Sequence, residues 1–250
     1  MADTIRFEWQ FDPPDYFEAA FTGEFEACKF EIRDGNVVGH LDALEYDRDP
    51  TIRQRLLSYI TSLFEGIRLQ SHKRFEIRGG GLYRVHPDGR TDVTVFPEPA
   101  GFVMMAGNLD LKVTNAEGTV LRDTKQARID EKRAFALLVA SKRGKDKVLD
   151  YLLSSYASAV EDPANELVHL FEIREALSGN FGGEPEARKV LSVSANDWST
   201  LGRLANEEPL RQGRHRGRHP AQLRDASKDE LETARAVARR LITAYLKKLA

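Results

Sequence analysis

The chain has one cysteine and no long apolar run in its 250 residues. A single cysteine, Cys28, can form neither an intramolecular disulfide nor a cysteine-based zinc site, which excludes a disulfide scaffold. Because no stretch of about 18 apolar residues occurs, we expect no membrane-spanning helix. The N-terminal sequence MADTIRFEWQ also lacks the basic-then-apolar order of a secretory signal. These absences predict a cytoplasmic protein that has no membrane partner.

The sequence also lacks an excess of either charge. It has 37 basic and 39 acidic side chains and a formal net charge of −2, so a globally basic nucleic-acid binder is not indicated. Hydrophobic residues make up 41% and charged residues 30%, which are the proportions of an ordinary globular protein. A chain of this length can form one large domain or two modest ones.

The first half of the chain has the patterns of β-strands and tight turns. The DGN sequence at 34–36 supplies the positive-φ residues of a hairpin turn within segment 23–41. A second hairpin is predicted around residues 86–89, and a third strand pair through the segments GFVMM, LDLKV and TVL. The glycine run at 79–81 predicts a corner between strands, since it lacks the spacing and the following helix of a phosphate-binding loop.

One amphipathic helix interrupts the strands, and a series of helices follows them. Asp49-Pro50 is typical of an N-cap followed by proline, and apolar residues from Ile52 to Ile67 recur at helical spacing. Helical spacing then returns beyond residue 123, where helices are predicted over 124–142, 145–160, 163–178, 185–192, 195–206 and 228–249.

Capping signals mark the ends of several of these helices. Asp162-Pro163 repeats the cap-plus-proline pattern, and Gly179 is expected to end that helix. Ser194 is predicted to cap the helix over 195–206, and Ser227 and Glu230 form a capping-box pair before the last helix. The sequence therefore predicts an α+β protein, with a β-rich domain over 1–120 and a helical bundle over 121–250.

The histidines give no pattern of metal ligands. His40, His72, His86 and His169 have no His or Cys partner at the spacing that places two ligands on one helical face. His215 and His219 do have i, i+4 spacing, but four neighbouring arginines would repel a divalent cation. We therefore expect neither a metal nor a cofactor.

Two further candidates have ordinary structural interpretations. Cys28 lies in a strand pattern, where a buried and inert thiol is the expected state. His169 and Glu172 share one surface of helix 163–178. Such a pair would do acid–base chemistry if it lined a cleft, whereas on a solvated helix face it would not.

Nine residues, RQGRHRGRH at 211–219, concentrate the chemically informative side chains. This segment, which we term the basic loop, has four arginines, two histidines and no carboxylate. Arginine presents a planar fork that matches two phosphate oxygens, and histidine titrates near neutrality, as proton transfer in phosphodiester cleavage requires. The alternative is a solvated loop whose arginines pair with the acidic residues Glu207, Glu208 and Asp225.

The helical half resembles the HEPN superfamily, named for higher eukaryotes and prokaryotes and for nucleotide binding. The hallmark of that family is an arginine, then a polar residue, then a histidine a few positions on. Arg214, His215 and His219 fit it, with four residues between Arg214 and His219. As in that family, the motif lies in a helical bundle shortly before a long closing helix.

The resemblance implies a metal-independent endoribonuclease of defence or stress response, with its motif in a cleft between the copies of a homodimer. His219 would be the general acid or base for the ribose 2′-hydroxyl and the leaving oxygen. Arg214 would stabilise the transition-state charge on the phosphate. Residues 1–120 would be a sensor or recognition module. The other cations of the basic loop would bind RNA phosphates: Arg211, His215, Arg216 and Arg218.

Two alternative functions remain. Some members of the HEPN family have lost cleavage, so one alternative is a non-catalytic module that binds RNA or a nucleotide. The other is a protein-interaction module whose basic loop docks an acidic partner. A ribonuclease is expected to yield RNA fragments without added metal. A non-catalytic binding module is expected to bind RNA with a salt-sensitive affinity and to yield no fragments. A protein-interaction module is expected to have no affinity for RNA.

Overall fold

The computed structural model describes residues 2–95, 112–114, 120–218 and 220–249. The chain is α+β, as predicted: an antiparallel sheet in the N-terminal region is followed by a series of helices. The described residues form two compact units. Unit 1 comprises residues 1–67 and 75–140, and unit 2 comprises residues 68–74 and 141–250.

The strands of unit 1 form one main antiparallel sheet in the order β2-β3-β4-β1-β6-β7. Two strands share one edge of β1, since β6 pairs with Thr4 to Phe7 and β5 pairs with Gln10 to Asp12. Gly79 and Gly80 lie between β5 and β6, where a corner was predicted, and Gly81 is the first residue of β6. The seven strands are β1 (Thr4–Asp12), β2 (Phe21–Phe25), β3 (Cys28–Arg33), β4 (Asn36–Asp42), β5 (Glu76–Arg78), β6 (Gly81–Val85) and β7 (Thr91–Val95).

The predicted hairpins are confirmed where the structure describes them. Arg33 pairs with Asn36 across the first turn, and Val85 pairs with Thr91 across the second. The third predicted pair is present in part, as an antiparallel pair of β8 (Lys112–Thr114) and β9 (Val120–Asp123). The GFVMM segment at 101–105 and the turn at 115–118 lie outside the described residues.

The core of unit 1 is formed where helix α2 (Ile52–Ser71) covers one face of the sheet. Alternate residues of β1 are buried, and so is the apolar stripe of α2 that the sequence predicted. Cys28 lies in this core, and burial raises the pKa of its thiol to about 11. The thiol is therefore protonated at neutral pH, in agreement with the inert cysteine that was expected. A short helix, α1 (Ala43–Arg48), precedes α2 and was not among the predicted elements; the Asp42 side chain caps it by accepting from the Leu44 N–H at 2.8 Å.

The helices after residue 123 match the predicted series closely. Ser194 accepts a hydrogen bond from the Asp197 backbone N–H at 3.0 Å, and Ser227 and Glu230 form the predicted capping box. A π-helical turn over Arg203–Glu207 replaces the end of the helix predicted over 195–206. The helices are α3 (Thr124–Lys142), α4 (Lys147–Glu161), α5 (Glu166–Asn180), α6 (Glu184–Leu191), α7 (Ala195–Gly202) and α8 (Lys228–Lys248).

Two details of the helix 163–178 prediction are wrong. Residues Pro163–Asn165 form a 3-10 turn, and the Asp162 side chain accepts from the Asn165 side chain rather than from a backbone N–H. Gly179 lies inside α5, and the left-handed conformations that follow the helix are those of Gly182 and Gly183. The helix therefore extends beyond Gly179, because the chain reverses only at the later glycine pair.

The two compact units do not coincide with the division predicted at 1–120 and 121–250. Most of α3, to residue 140, belongs to unit 1, where Ala136 is part of the sheet-and-helix core. Residues 68–74, which include the last turn of α2, belong to unit 2. A change from strand to helix spacing locates secondary structure but does not tell which core a helix joins. None of the described helices is long and apolar enough to cross a membrane.

Two helical glycines provide a test of the packing between α2 and α3. A Cβ on Gly66 would lie 2.5 Å from the Ala136 Cα, whereas a Cβ on Gly179 would meet nothing within 4 Å. We expect Gly66→Ala to lower the free energy of unfolding by about 1–2 kcal/mol, since overpacking outweighs the gain in helix propensity. We expect Gly179→Ala to raise it by up to about 1 kcal/mol. Urea denaturation measures both; a Gly66→Ala protein as stable as wild type would contradict the close packing.

Candidate nucleic-acid interface

The basic loop lies between the π-helical turn and α8, and backbone hydrogen bonds hold it to the π-helical turn and to the segment before α8. The Arg214 N–H donates to the Ala205 carbonyl at 2.7 Å, and the Arg211 N–H donates to the Arg224 carbonyl at 2.9 Å. A further turn is closed by the Arg218 N–H and the His215 carbonyl at 3.0 Å. The loop consists of turns rather than a regular helix, as its glycines predict.

Arg214 is held by an aromatic ring and a carboxylate, both on α5. Its guanidinium carbon lies 4.7 Å from the centre of the Phe171 ring, within the range of a cation–π interaction. Its Nη1 donates to Glu175 Oε1 at 2.8 Å. The side chain is 34% exposed, so a ligand can still approach it from the solvent.

Arg216 binds neutral oxygens of the protein. Its Nε donates to the Gly213 carbonyl at 3.0 Å, and its Nη2 donates to the Ala164 carbonyl at 3.1 Å and to the Asn165 side chain. These bonds attach the basic loop to the 3-10 turn that precedes α5. The phosphate contact predicted for Arg216 would have to replace one of these hydrogen bonds.

The outward-facing cations of the loop are Arg211 and Arg218, with His215 between them. Arg211 is 62% exposed, and its Nε is 3.9 Å from Asp225 Oδ1, a distance at which an exposed pair contributes little. Arg218 and His215 are exposed and make no ion pair with any residue that the structure describes. His219 lies outside the described residues.

The acidic residues near the loop are only partly engaged by it. Glu208 pairs with Arg203 at 2.7 Å and lies 3.8 Å from Arg224, both outside the loop. The carboxylates that do face loop arginines are Asp225 and Glu175. Among the described loop residues, then, two arginines face a carboxylate and two do not.

The pair of His169 and Glu172 is brought together as the sequence suggested, with a second carboxylate beside it. His169 Nδ1 lies 3.5 Å from Glu172, and His169 Nε2 lies 3.5 Å from Asp162. Hydrogen bonding by Asn165, and then by His169, lowers the pKa of Asp162. The imidazole between two carboxylates is suited to an ion pair when it is protonated.

Sequence spacing missed a partly buried polar cluster in unit 2, which consists of His72, Tyr156, Glu166 and Arg235. Glu166 is 1% exposed and accepts two hydrogen bonds from Arg235, at 2.5 and 2.8 Å. His72 Nε2 lies 3.4 Å from Glu166 Oε1, and His72 Nδ1 lies 3.3 Å from the Tyr156 hydroxyl. That hydroxyl is also 3.3 Å from the Leu69 carbonyl, to which it donates. The members are far apart in sequence, so no local pattern reveals them.

The electrostatics of this cluster favour a neutral imidazole. Burial, and then the nearby charges of Arg235, Arg239 and Arg68, lower the pKa of His72 to about 3. Burial raises the pKa of Tyr156 to about 12. Neither group changes its protonation near neutral pH. The cluster is therefore suited to holding helices together rather than to proton transfer.

No group of three or more His, Cys, Asp or Glu side chains within the described ranges is placed to hold a metal ion. No protein-family model, curated protein or solved structure matches the chain.

The low pKa of His72 predicts a loss of stability in acid. The unfolded chain binds this proton near pH 6.5 and the folded chain only near pH 3, so stability present above pH 6.5 is lost as the pH falls. Between pH 6.5 and 5 the loss is about 2 kcal/mol. We expect His72→Asn, which removes the titration and tolerates the left-handed backbone (φ 51°), to weaken this dependence.

Urea denaturation at several pH values measures this effect. His86→Asn is the matched control, because hydrogen bonding to Asp92, and then to Asp3, raises the pKa of His86. The stability that protonated His86 contributes is present below pH 6.5 and is lost as the pH rises. The His86→Asn protein lacks this stabilisation in acid, so its stability should fall more steeply than that of the wild type as the pH is lowered. An unchanged pH dependence in His72→Asn would show that His72 does not stay neutral in the folded protein.

Proposed function

We propose that the basic loop binds the phosphate backbone of RNA. The proposal is supported by the different placement of the loop's basic side chains: Arg214 and Arg216 fix the loop, while Arg211, His215 and Arg218 face solvent. A fixed loop loses little conformational entropy on binding, so its exposed guanidinium groups can be used for phosphate contacts. The alternative of an acidic protein partner uses the same cations, and the affinity for RNA distinguishes the two.

Removal of exposed arginines tests RNA binding. We expect Arg211→Ala and Arg218→Ala each to weaken binding of fluorescein-labelled oligouridylate by about three- to tenfold, measured by fluorescence anisotropy. Contact with about two or three phosphates predicts a slope of log affinity against log salt of roughly −1.4 to −2.1 for a single strand. Each substitution should reduce that slope by about 0.7.

Arg203→Ala is the matched control for charge, because Arg203 lies outside the loop and is paired with Glu208. It should leave both the affinity and the slope unchanged. No measurable RNA affinity in the wild-type protein, or equal losses in all three variants, would contradict RNA binding by the loop and favour a protein partner.

We propose metal-independent RNA cleavage at the same site as a second function, in a cleft between two copies as the HEPN resemblance implies. It is supported by the orientation of Arg214, which Phe171 and Glu175 fix in place. Glu175 is 51% exposed, so a phosphate can replace it at Arg214 with little loss of stability. His219 would transfer protons, and Arg214 would stabilise negative charge on the phosphate.

Separate assays of binding and cleavage test the second function. We expect His219→Ala to bind RNA as wild type does but to cleave it at least about a hundredfold more slowly, because only proton transfer is lost. Arg214→Ala should weaken both. Glu175→Gln should strengthen RNA binding, since it removes a carboxylate that competes with phosphate for Arg214. EDTA should leave the rate unchanged, because these steps use side chains only. If the wild-type protein binds RNA but yields no cleavage product, the second function is excluded and only RNA binding remains.

A further inference from the structure

A groove on unit 2, lined by residues outside the basic loop, carries a second concentration of positive charge. It is formed by the end of α6, the α6–α7 connection and the outer face of α8, and it has a volume of about 750 Å³. Volumes in this range are typical of ligand sites. Four cations line it against one carboxylate: Arg239, Arg240, Lys247 and Lys248 against Asp197.

The floor of the groove is made of small and aliphatic side chains. Ala236, Thr243 and Ala244 recur at helical spacing along α8, so this face of the helix has no bulky side chain between its cations. Leu191 and Val193 line the opposite side, and Val190 at the rim is 40% exposed. The groove thus combines an apolar floor with a cationic rim.

The charge of the rim is only partly compensated within the protein. Arg240 pairs with Asp197 at 2.5 Å, and Arg239 donates to the Gln70 carbonyl. Lys247 and Lys248 are exposed and make no ion pair with the residues described in the structure. α8 has no carboxylate after Glu232, so its final four turns are cationic or neutral. The helix dipole accounts for lysines in the last turn but not for arginines two turns earlier.

We propose that this groove binds an acidic amphipathic helix of a partner protein. Apolar side chains of such a helix would contact the floor, and its flanking carboxylates would meet Arg239, Lys247 and Lys248. From Ala236 to Lys247 the groove extends about 17 Å along α8, which is room for about three turns of a bound helix. An RNA strand is a poorer match, because none of the described residues that line the groove is aromatic and could stack on a base, and phosphates make no use of an apolar floor.

A designed peptide probe tests this proposal on the full chain. The probe is a fluorescein-labelled 18-residue peptide of leucine and glutamate, about five turns long, with leucines at i, i+3, i+4 and i+7. A permuted peptide has the same composition, with its leucines placed only at alternate positions. We expect the wild-type protein to bind the first peptide at least tenfold more tightly than the second. Equal affinity for both peptides would overturn the proposal, because charge alone would then account for binding.

Charge reversal and groove filling locate the site. Lys247→Glu with Lys248→Glu should lower the affinity for the helical peptide at least tenfold. Lys29→Glu with Lys125→Glu, at exposed positions of unit 1, makes the same change in net charge and should alter it less than twofold. Ala244→Leu keeps the charge and fills the floor, and it should lower the affinity at least fivefold.

RNA titrated in parallel separates this groove from the basic loop. We expect the Lys247 and Lys248 reversals to leave oligouridylate affinity within twofold of that of the control pair. If they lower RNA affinity and leave peptide affinity unchanged, the groove is part of an RNA surface and the proposal is wrong. Equal effects of the two double reversals on the peptide would overturn it as well.

Discussion

The organisation of unit 2 depends on one buried carboxylate. Glu166, at the first position of α5, is almost inaccessible to solvent and is neutralised by a two-pronged contact from Arg235 on α8. Removing one partner of such a pair typically costs about 3–5 kcal/mol, because the other charge is left buried. The two residues before Glu166 accept the hydrogen bonds of Arg216. Three successive residues thus fix both the closing helix and the basic loop.

Arginine serves two distinct purposes in this protein, and its position in the sequence does not separate them. Arg214 and Arg216 are four positions or fewer from Arg218, yet the first two contact α5 or its preceding turn and the third faces solvent. The same contrast occurs on α8, where the half-buried Arg235 pairs with a buried carboxylate and the terminal lysines are exposed. A count of cations therefore overestimates the charge that is free to meet a ligand.

Local features of the fold were predictable from sequence, and long-range ones were not. Hairpin turns and helix caps are set by residues within a few positions of one another, so the turn at 34–36 and the cap at Ser194 were found. The pairing of β5 and β6 along one edge of β1, and the meeting of His72 with Glu166, join segments that share no periodic signal. The basic loop was visible as a composition, but which of its arginines point outward is decided by α5.

The path of the chain through the two units has a consequence for inheritance and biosynthesis. Residues 68–74 belong with a body whose remainder begins at residue 141. A single cut in the gene after residue 140 leaves unit 2 without residues 68–74 and separates His72 from Tyr156 and Glu166. A single cut before residue 68 keeps those residues together but divides unit 1. During translation this short segment emerges well before its companions. Unit 2 is therefore completed only when the residues from 141 onward join a segment that was synthesised earlier. The coding sequences of the two units must be inherited together.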